Sequence, residues 1–403
     1  MGEDDSPLSE EQHRMPSAEK TIGVIGGGQL ALMLIEAART RGVEVAVQAA
    51  KGEDPAVAVA DHVVYASSTD AQGTRDLAKH CTGITFENEW IGIDALMPLE
   101  RMGLRFTPSL ASVVPLVNKL SQRRLLDDLS IPSPDWISLA ELNPGSPALP
   151  SGWSFPVMAK SAYGGYDGKG TRVLKDLNGL TQLLRNVNAK EWLIEAWVNY
   201  QQELALVASR DQQGRIRTLP LTETHQKNQV CDWVVAPASV SQIVDATAYN
   251  FAASLLTQLS YVGVMTIEFF YGSSGLLVNE IAPRTHNSGH FSIEACSSSQ
   301  FDQQVCIAAG LDVPNPELVA DGSLMVNLLG LDSNQAGPLE DRLSKLRSLE
   351  AVHVHWYGKS EVPARKVGHV TTLLKGQTAA ERKEHSQQML KRIRDIWPLP
   401  LNW

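Results

Sequence analysis

Cysteine is scarce, basic residues are outnumbered and no long apolar run exists, and each shortage excludes a class of protein. The four cysteines, Cys81, Cys231, Cys296 and Cys306, show no C-x-x-C spacing, so neither a zinc knuckle nor a disulfide framework is indicated. Unbroken apolar stretches are short, Ala56 to Ala60 among them, against the ~18–20 residues that a membrane span requires. Lys and Arg number 35 against 45 Asp and Glu, a formal net charge of −10. That is the wrong sign for coating nucleic acid or an anionic membrane, so neither is expected as a partner, and an anionic substrate would need a local basic pocket.

What is present is a chain of 403 residues with 43% hydrophobic and 20% charged residues, 30 Gly and 21 Pro, a composition suited to several soluble domains. Residues 1–20 hold six acids against Arg14 and Lys20 and read as a disordered acidic tail. They lack the basic start and apolar core of a signal peptide, so the expected location is the cytoplasm.

From Thr21 the pattern alternates. A β-type run to Ile25, a turn at Gly26-Gly27-Gly28-Gln29-Leu30 and a helical stretch to Arg41 precede strand signals at Val43–Val47, His62–Tyr65 and Ile84–Phe86. Such alternation predicts βαβ units on a parallel sheet over about 21–110. A mixed α+β body over 111–315 follows, and a smaller β-rich region occupies 316–403.

Four segments carry chemistry. Gly26 to Ala31 matches G-x-G-x-x-A after a strand, which reads as a dinucleotide turn, a site for another anion, or a structural turn. No acid follows the second strand, where Gln48, Ala49 and Ala50 stand, which weakens a nicotinamide reading. Lys160 precedes Gly164-Gly165-Tyr166-Asp167-Gly168-Lys169-Gly170, a backbone able to fold over phosphates with Lys160 and Lys169 as countercharges, or else a flexible hairpin. It is not a Walker loop, because Tyr163 stands where that motif needs glycine.

Glu268 and Glu280 lie on two arms of a hairpin joined through Gly272-Ser273-Ser274-Gly275. A connecting loop of odd length is expected, because it puts both carboxylates on one face as a hard-oxygen site for magnesium, with Asn279 beside them; the alternative is a pair of solvated edge carboxylates. The run Ile281 to Phe291 packs Arg284, His286, Asn287, Ser288 and His290 between turns and reads as a binding loop, with Arg284 suited to an oxyanion. Lys359, Arg365 and Lys366 supply a basic cluster near the C-terminus, the alternative for Arg365-Lys366 being a solvated surface.

Taken in order, these segments resemble the ATP-grasp superfamily, and within it the 5-(carboxyamino)imidazole ribonucleotide synthases. The resemblance runs from Thr21 to about Thr372 and rests on IGVIGGGQL, TFENE, GGYDGKG, NEIAPRTHNSGH, SSQFDQ, MVNLLG, and YGK followed by RKVGHV. It implies an N-terminal Rossmann-like pre-ATP-grasp domain, an ATP-grasp body with a closing lid subdomain at about 130–195, and a small C-terminal domain. It also implies that ATP converts bicarbonate to carboxyphosphate, which carboxylates 5-aminoimidazole ribonucleotide in purine biosynthesis.

Residue by residue, the resemblance implies that Lys160 and Gly165 to Thr171 hold phosphates, and that Glu195, Ala196, Trp197 and Val198 meet adenine. Glu203 takes the ribose hydroxyls, and Lys119, His225, Asn279 and Glu280 add nucleotide contacts. Lys119 stands where the family usually has arginine. Glu268 and Glu280 hold magnesium, with manganese as a substitute. Gly28, Gln29, Leu30, Lys359, Arg365 and Lys366 contact the ribonucleotide, with Tyr166 and Asp167 facing the imidazole. Glu87 lies near the amine; Arg284, His286 and Lys359 serve the chemistry. The expected partners are ATP, bicarbonate, the ribonucleotide, a second copy in a homodimer, and the mutase that receives the product; no biotin is expected. Rival readings are another ATP-grasp ligase such as a formate-dependent formyltransferase, a sensor without catalysis, and a nicotinamide oxidoreductase.

Overall fold

A computed structural model describes residues 20–165, 170–332 and 337–401. The expectations for the acidic tail and for Tyr166, Asp167, Gly168 and Lys169 therefore lie outside the described residues, apart from Lys20 itself.

The first part follows the alternation in the sequence. Strand β1 (Lys20–Ile25), helix α1 (Gln29–Thr40), β2 (Val43–Ala49), β3 (His62–Tyr65), helix α2 (Ala71–Leu77) and β4 (Gly83–Phe86) build a parallel sheet in the order β3-β2-β1-β4. Its strands are near-continuous apolar runs because helices cover both faces. Helices α3 (Ile93–Arg101), α4 (Leu110–Val113) and α5 (Lys119–Asp128) lead out of it. The Asn118 side chain caps α5 by accepting from the amides of Leu120 and Ser121, at 2.8 and 3.2 Å.

A four-stranded antiparallel sheet comes next, in the order β5-β8-β6-β7. It consists of β5 (Trp136–Ser138), β6 (Val157–Ser161), β7 (Thr171–Leu174) and β8 (Trp192–Ala196), with helix α6 (Leu177–Asn186) before β8. Leu142, Val157, Leu180, Leu183 and Ile194 close a small core of its own.

The largest sheet begins with β9 (Gln202–Arg210), β10 (Ile216–Thr218), β11 (Thr222–Lys227) and β12 (Val230–Ala236). Helix α7 (Gln242–Gln258) leads to the hairpin β13 (Gly263–Gly272) and β14 (Gly275–Ala282). After helices α8 (Ser292–Ala295) and α9 (Gln300–Ala309) come β15 (Gly322–Leu329), helix α10 (Leu339–Arg347), β16 (Val352–Trp356), β17 (Lys366–Leu374) and helix α11 (Ala379–Ile396). The order is β14-β13-β9-β11-β12-β15-β17-β16, with β10 beside β9. The C-terminal strands therefore extend the central sheet instead of forming one of their own. Leu324, Val326, Leu346, Met389, Ile393 and Trp397 pack beneath α10 and α11.

Helix α9 ties the first sheet to the last. Its Phe301, Val305 and Ala308 join the apolar cluster of Ile22, Val24 and Leu34. Its Gln304 accepts from the amide of Val264 at 2.8 Å and donates to the Thr85 hydroxyl at 3.0 Å. This puts the end of β4, and with it Glu87, at a fixed place relative to the β13–β14 hairpin.

Candidate active site

A cleft of about 1030 Å³ opens where the three sheets meet, and its wall draws on residues from Gln29 to Lys366. The hairpin forms one side. Its connection is a two-residue turn, Ser273-Ser274, with Gly272 paired to Gly275. This corrects the expected odd loop: an even turn alone would pair Glu268 with Asn279 and leave Glu280 on the other face. A bulge after Glu268 restores the parity, because Phe269 pairs with Val278 while Glu268 pairs with Glu280. Both carboxylates thereby share a face and line the cleft.

The two carboxyls differ electrically. Burial, with Glu280 and Glu203 close by, raises the Glu268 carboxyl to about 7. Burial also works against ionised Glu280, but Lys119, which hydrogen-bonds to it, together with Lys160 and Arg123, brings it below the ordinary range.

Behind the pair lies a buried ionic network. Glu195 on β8 receives Arg123 of α5 at 2.6 Å and Lys160 of β6 at 2.8 Å, and all three are nearly inaccessible. Arg123 also donates to the carbonyls of Val278 and Asn279, at 3.3 and 2.7 Å, and Lys160 donates to the Asn279 side chain at 2.9 Å. Burial opposes the charge on Glu195, yet the two cations hold its carboxyl low; burial and the neighbouring cations also lower Lys160. The Glu195 side chain thus serves the framework, while Ala196, Trp197 and Val198 continue along the cleft. Opposite them Tyr200 stacks on Phe270 with centroids 4.6 Å apart and donates its hydroxyl to Glu203 at 2.5 Å. Thr171 and Gly165 reach the cleft wall, whereas Gly170 is exposed and stands outside it.

His225 stands beside the cleft, near Glu203. It is not part of the cleft wall: its ring stacks on Trp233 with centroids 4.9 Å apart and lies 3.6 Å from Asp232. The bulge between His225 and Gln226 brings Gln226 to the wall instead.

Beside the hairpin carboxylates the cleft wall turns basic. Arg284 pairs with Glu89 at 2.6 Å. His286 sits 3.7 Å from Glu268 and bonds to Ser288 at 3.1 Å; burial, then Arg284 and Lys366, keep it neutral. Its backbone is gripped by Gln300, which accepts from the His286 amide and donates to the His286 carbonyl, both at 2.8 Å. Lys359 donates to Gln29, joining the first sheet to the loop before β17. Arg365 and Lys366 line the same part of the wall.

The glycine turn is occupied from within, although Gln29 and Leu30 line the cleft. The amides of Gly28 and Leu30 do not face an open site, because Glu87 accepts from both, at 2.7 and 3.2 Å. The anion at the start of α1 is an internal carboxylate, drawn there by the helix dipole. Burial raises its pKa, against the two amides and Lys359. Glycine is required by contact: a Cβ at Gly28 would lie 2.2 Å from the Glu87 carboxylate, and Gly26 has φ +120°.

Sequence reasoning passed over Arg123 as a site residue, Glu89, Tyr200 and Gln300. Glu89 carries a signal, its place in Thr85 to Glu89; the roles of the others are set by tertiary partners, Glu195 for Arg123, Phe270 for Tyr200 and the His286 backbone for Gln300.

A glycine-rich strand pair, a carboxylate hairpin and lysines arranged around one cleft define an ATP-grasp enzyme. The chain matches the ATP-grasp domain over 124–301, the ribonucleotide synthetase preATP-grasp domain over 19–114 and the phosphoribosylaminoimidazole carboxylase C-terminal domain over 323–383. It is 45% identical to the N5-carboxyaminoimidazole ribonucleotide synthase of Synechococcus elongatus, over 94% of this chain and 96% of that protein. The chain belongs to the N5-carboxyaminoimidazole ribonucleotide synthase family, and is an ATP-grasp ligase. Two crystal structures from Aspergillus clavatus share the fold. The synthase complexed with ATP superposes with a TM-score of 0.82 at 28% identity, covering 94% of this chain and 99% of that one. The complex with ADP and 5-aminoimidazole ribonucleotide gives 0.80 at 27% identity, covering 94% and 99%.

Proposed function

We propose that this chain uses ATP to activate bicarbonate and carboxylates the exocyclic amine of 5-aminoimidazole ribonucleotide. The observation that carries the reading is one continuous cleft whose wall includes Glu268, Glu280 and Lys160 together with Arg284, His286, Lys359 and Arg365, the two groups meeting where His286 lies 3.7 Å from Glu268. ATP lies against Lys160, Gly165 and Thr171, with adenine along Ala196–Val198 and the ribose hydroxyls on Glu203. The ribonucleotide phosphate meets Lys359, Arg365 and Lys366.

Glu268 and Glu280 fit a magnesium ion, because the two carboxylates share one face and, while Lys119 serves Glu280, the Glu268 carboxyl is raised to about 7 by burial and by Glu280 beside it, which a cation between them would reverse. The ion would neutralise charge on the nucleotide phosphates. A bicarbonate oxygen attacks the γ-phosphorus and ADP leaves; the amine nitrogen then attacks the carboxyl carbon, and phosphate leaves. Arg284 and neutral His286 orient the carboxyl oxygens. Glu87, its basicity raised by burial, takes the proton that the amine loses. The 130–195 subdomain closes over the cleft and excludes water, which protects the carboxyphosphate.

No helix among the described residues is long and apolar enough to cross a membrane. A cytoplasmic location, a homodimer, delivery of the product to a mutase, and divisions at about 110 and 315 complete the proposal. The test is oxygen transfer: bicarbonate labelled with oxygen-18 should yield inorganic phosphate carrying that label. Unlabelled phosphate formed at the full rate would refute the carboxyphosphate route.

A further inference from the structure

The loop between β16 and β17 carries Lys359 and Arg365 to the cleft, beside Lys366 at the start of β17, in a shape that its own sequence does not favour. Val362-Pro363-Ala364-Arg365 is a turn closed by the Arg365 amide donating to the Val362 carbonyl at 3.0 Å. Pro363 suits the second position, but Ala364 in the third has φ +66°, a conformation that favours glycine. Such strain persists only where the surroundings hold it.

Two clamps do so. Gly330, which ends β15's MVNLLG segment, donates its amide to the Arg365 carbonyl at 2.7 Å and accepts from the Ala364 amide at 3.0 Å. A Cβ there would lie 2.2 Å from the Val362 carbonyl oxygen, so the segment must end in glycine for the loop to rest on it. The second clamp is Arg342 of α10, which is buried. Its two terminal nitrogens donate to the two carboxylate oxygens of Glu361 at 3.0 and 2.6 Å, and its Nε donates to the Gly337 carbonyl at 3.1 Å. The guanidinium lies 4.0 Å over the Trp397 ring, whose Nε1 donates to the Leu329 carbonyl at 2.8 Å. Neither Arg342 nor Glu361 forms part of the cleft wall.

We propose that Arg342 is a positioning residue: through its two-pronged bond to Glu361 it holds the basic loop where Lys359 and Arg365 meet the ribonucleotide phosphate, and so sets the affinity for that substrate but not for ATP. The inference rests on the reading that the ribonucleotide docks on this loop. A bidentate guanidinium–carboxylate pair fixes direction as well as distance, which a lysine cannot reproduce.

The test compares the full-length enzyme with Glu361→Gln, which keeps the side-chain volume, and Arg342→Lys, which keeps the charge over Trp397. In both, KM for 5-aminoimidazole ribonucleotide should rise about tenfold, equivalent to about 1.4 kcal/mol, while KM for ATP and kcat stay within about twofold. An unchanged ribonucleotide KM, or a parallel rise in both KM values, would overturn the proposal. Failure of the underlying reading shows itself separately, as unmodified enzyme whose ADP release ignores the ribonucleotide.

Discussion

Glu268 and Glu280 stand opposite each other only because Asn279 is an extra residue in its strand, bulged out of the ladder and free to meet Lys160 with its side chain. One bulge therefore creates the carboxylate pair and connects it to the buried ionic network. The arrangement is electrostatically unfavourable without a cation, since Glu268 is held at about 7 by burial and its neighbours.

A pH dependence follows. A carboxyl whose folded pKa is raised adds stability that is fully present below its ordinary value and is lost as pH rises through about 7. Cation-free protein should thus lose melting temperature between about pH 5 and about pH 8, and Glu268→Gln should flatten that slope while abolishing turnover. Added magnesium should raise the melting temperature more at the upper pH than at the lower. Equal shifts at both would mean that the ion binds elsewhere.

Glu195 separates two buried cations, Arg123 and Lys160. Glu195→Ala leaves both without their carboxylate and should cost about 3–5 kcal/mol in urea unfolding. A loss below about 1 kcal/mol, the range of exposed pairs, would show that water reaches the network.

Gln300 places His286 through two backbone bonds and is not itself part of the cleft wall. Gln300→Met keeps an unbranched side chain but frees the loop. The expected result is a fall in kcat of about 10²-fold with both KM values little changed, because misplacement of reacting groups by ~1 Å has that scale. Preserved kcat would show that the loop holds itself.

Glu87 is both a cap for α1 and a cleft residue. Glu87→Ala should cost about 1–2 kcal/mol through the orphaned amides and remove turnover. Glu87→Asp, too short to reach both amides, should fall between the two; wild-type stability in the alanine variant would place another group at the helix start.

The parts of this protein legible in its sequence are those with local causes. The parallel strands around Gly26 to Leu30, the strands flanking Lys160 and the hairpin all announce themselves by apolar runs between glycine turns. Gln300, Gln303 and Gln304 did not, because glutamines beside the Phe301-Val305-Ala308 stripe read as solvated positions, whereas here they are buried and satisfied by partners that only the fold supplies. The bulge at Asn279 was invisible for a related reason: parity along a strand is set by pairing with a partner, not by composition. The occupation of the glycine turn by Glu87 joins residues 59 positions apart, and Arg123 meets Glu195 across 72, distances at which local pattern carries no information.

The central claim is that one cleft couples ATP cleavage to carboxylation of the ribonucleotide. Its most direct test is the initial rate of ADP release from ATP and magnesium, measured with and without 5-aminoimidazole ribonucleotide and with bicarbonate or formate. The account predicts fast release only with the ribonucleotide and bicarbonate together, and none above background with formate. Release that is indifferent to the ribonucleotide, or supported by formate, would contradict it.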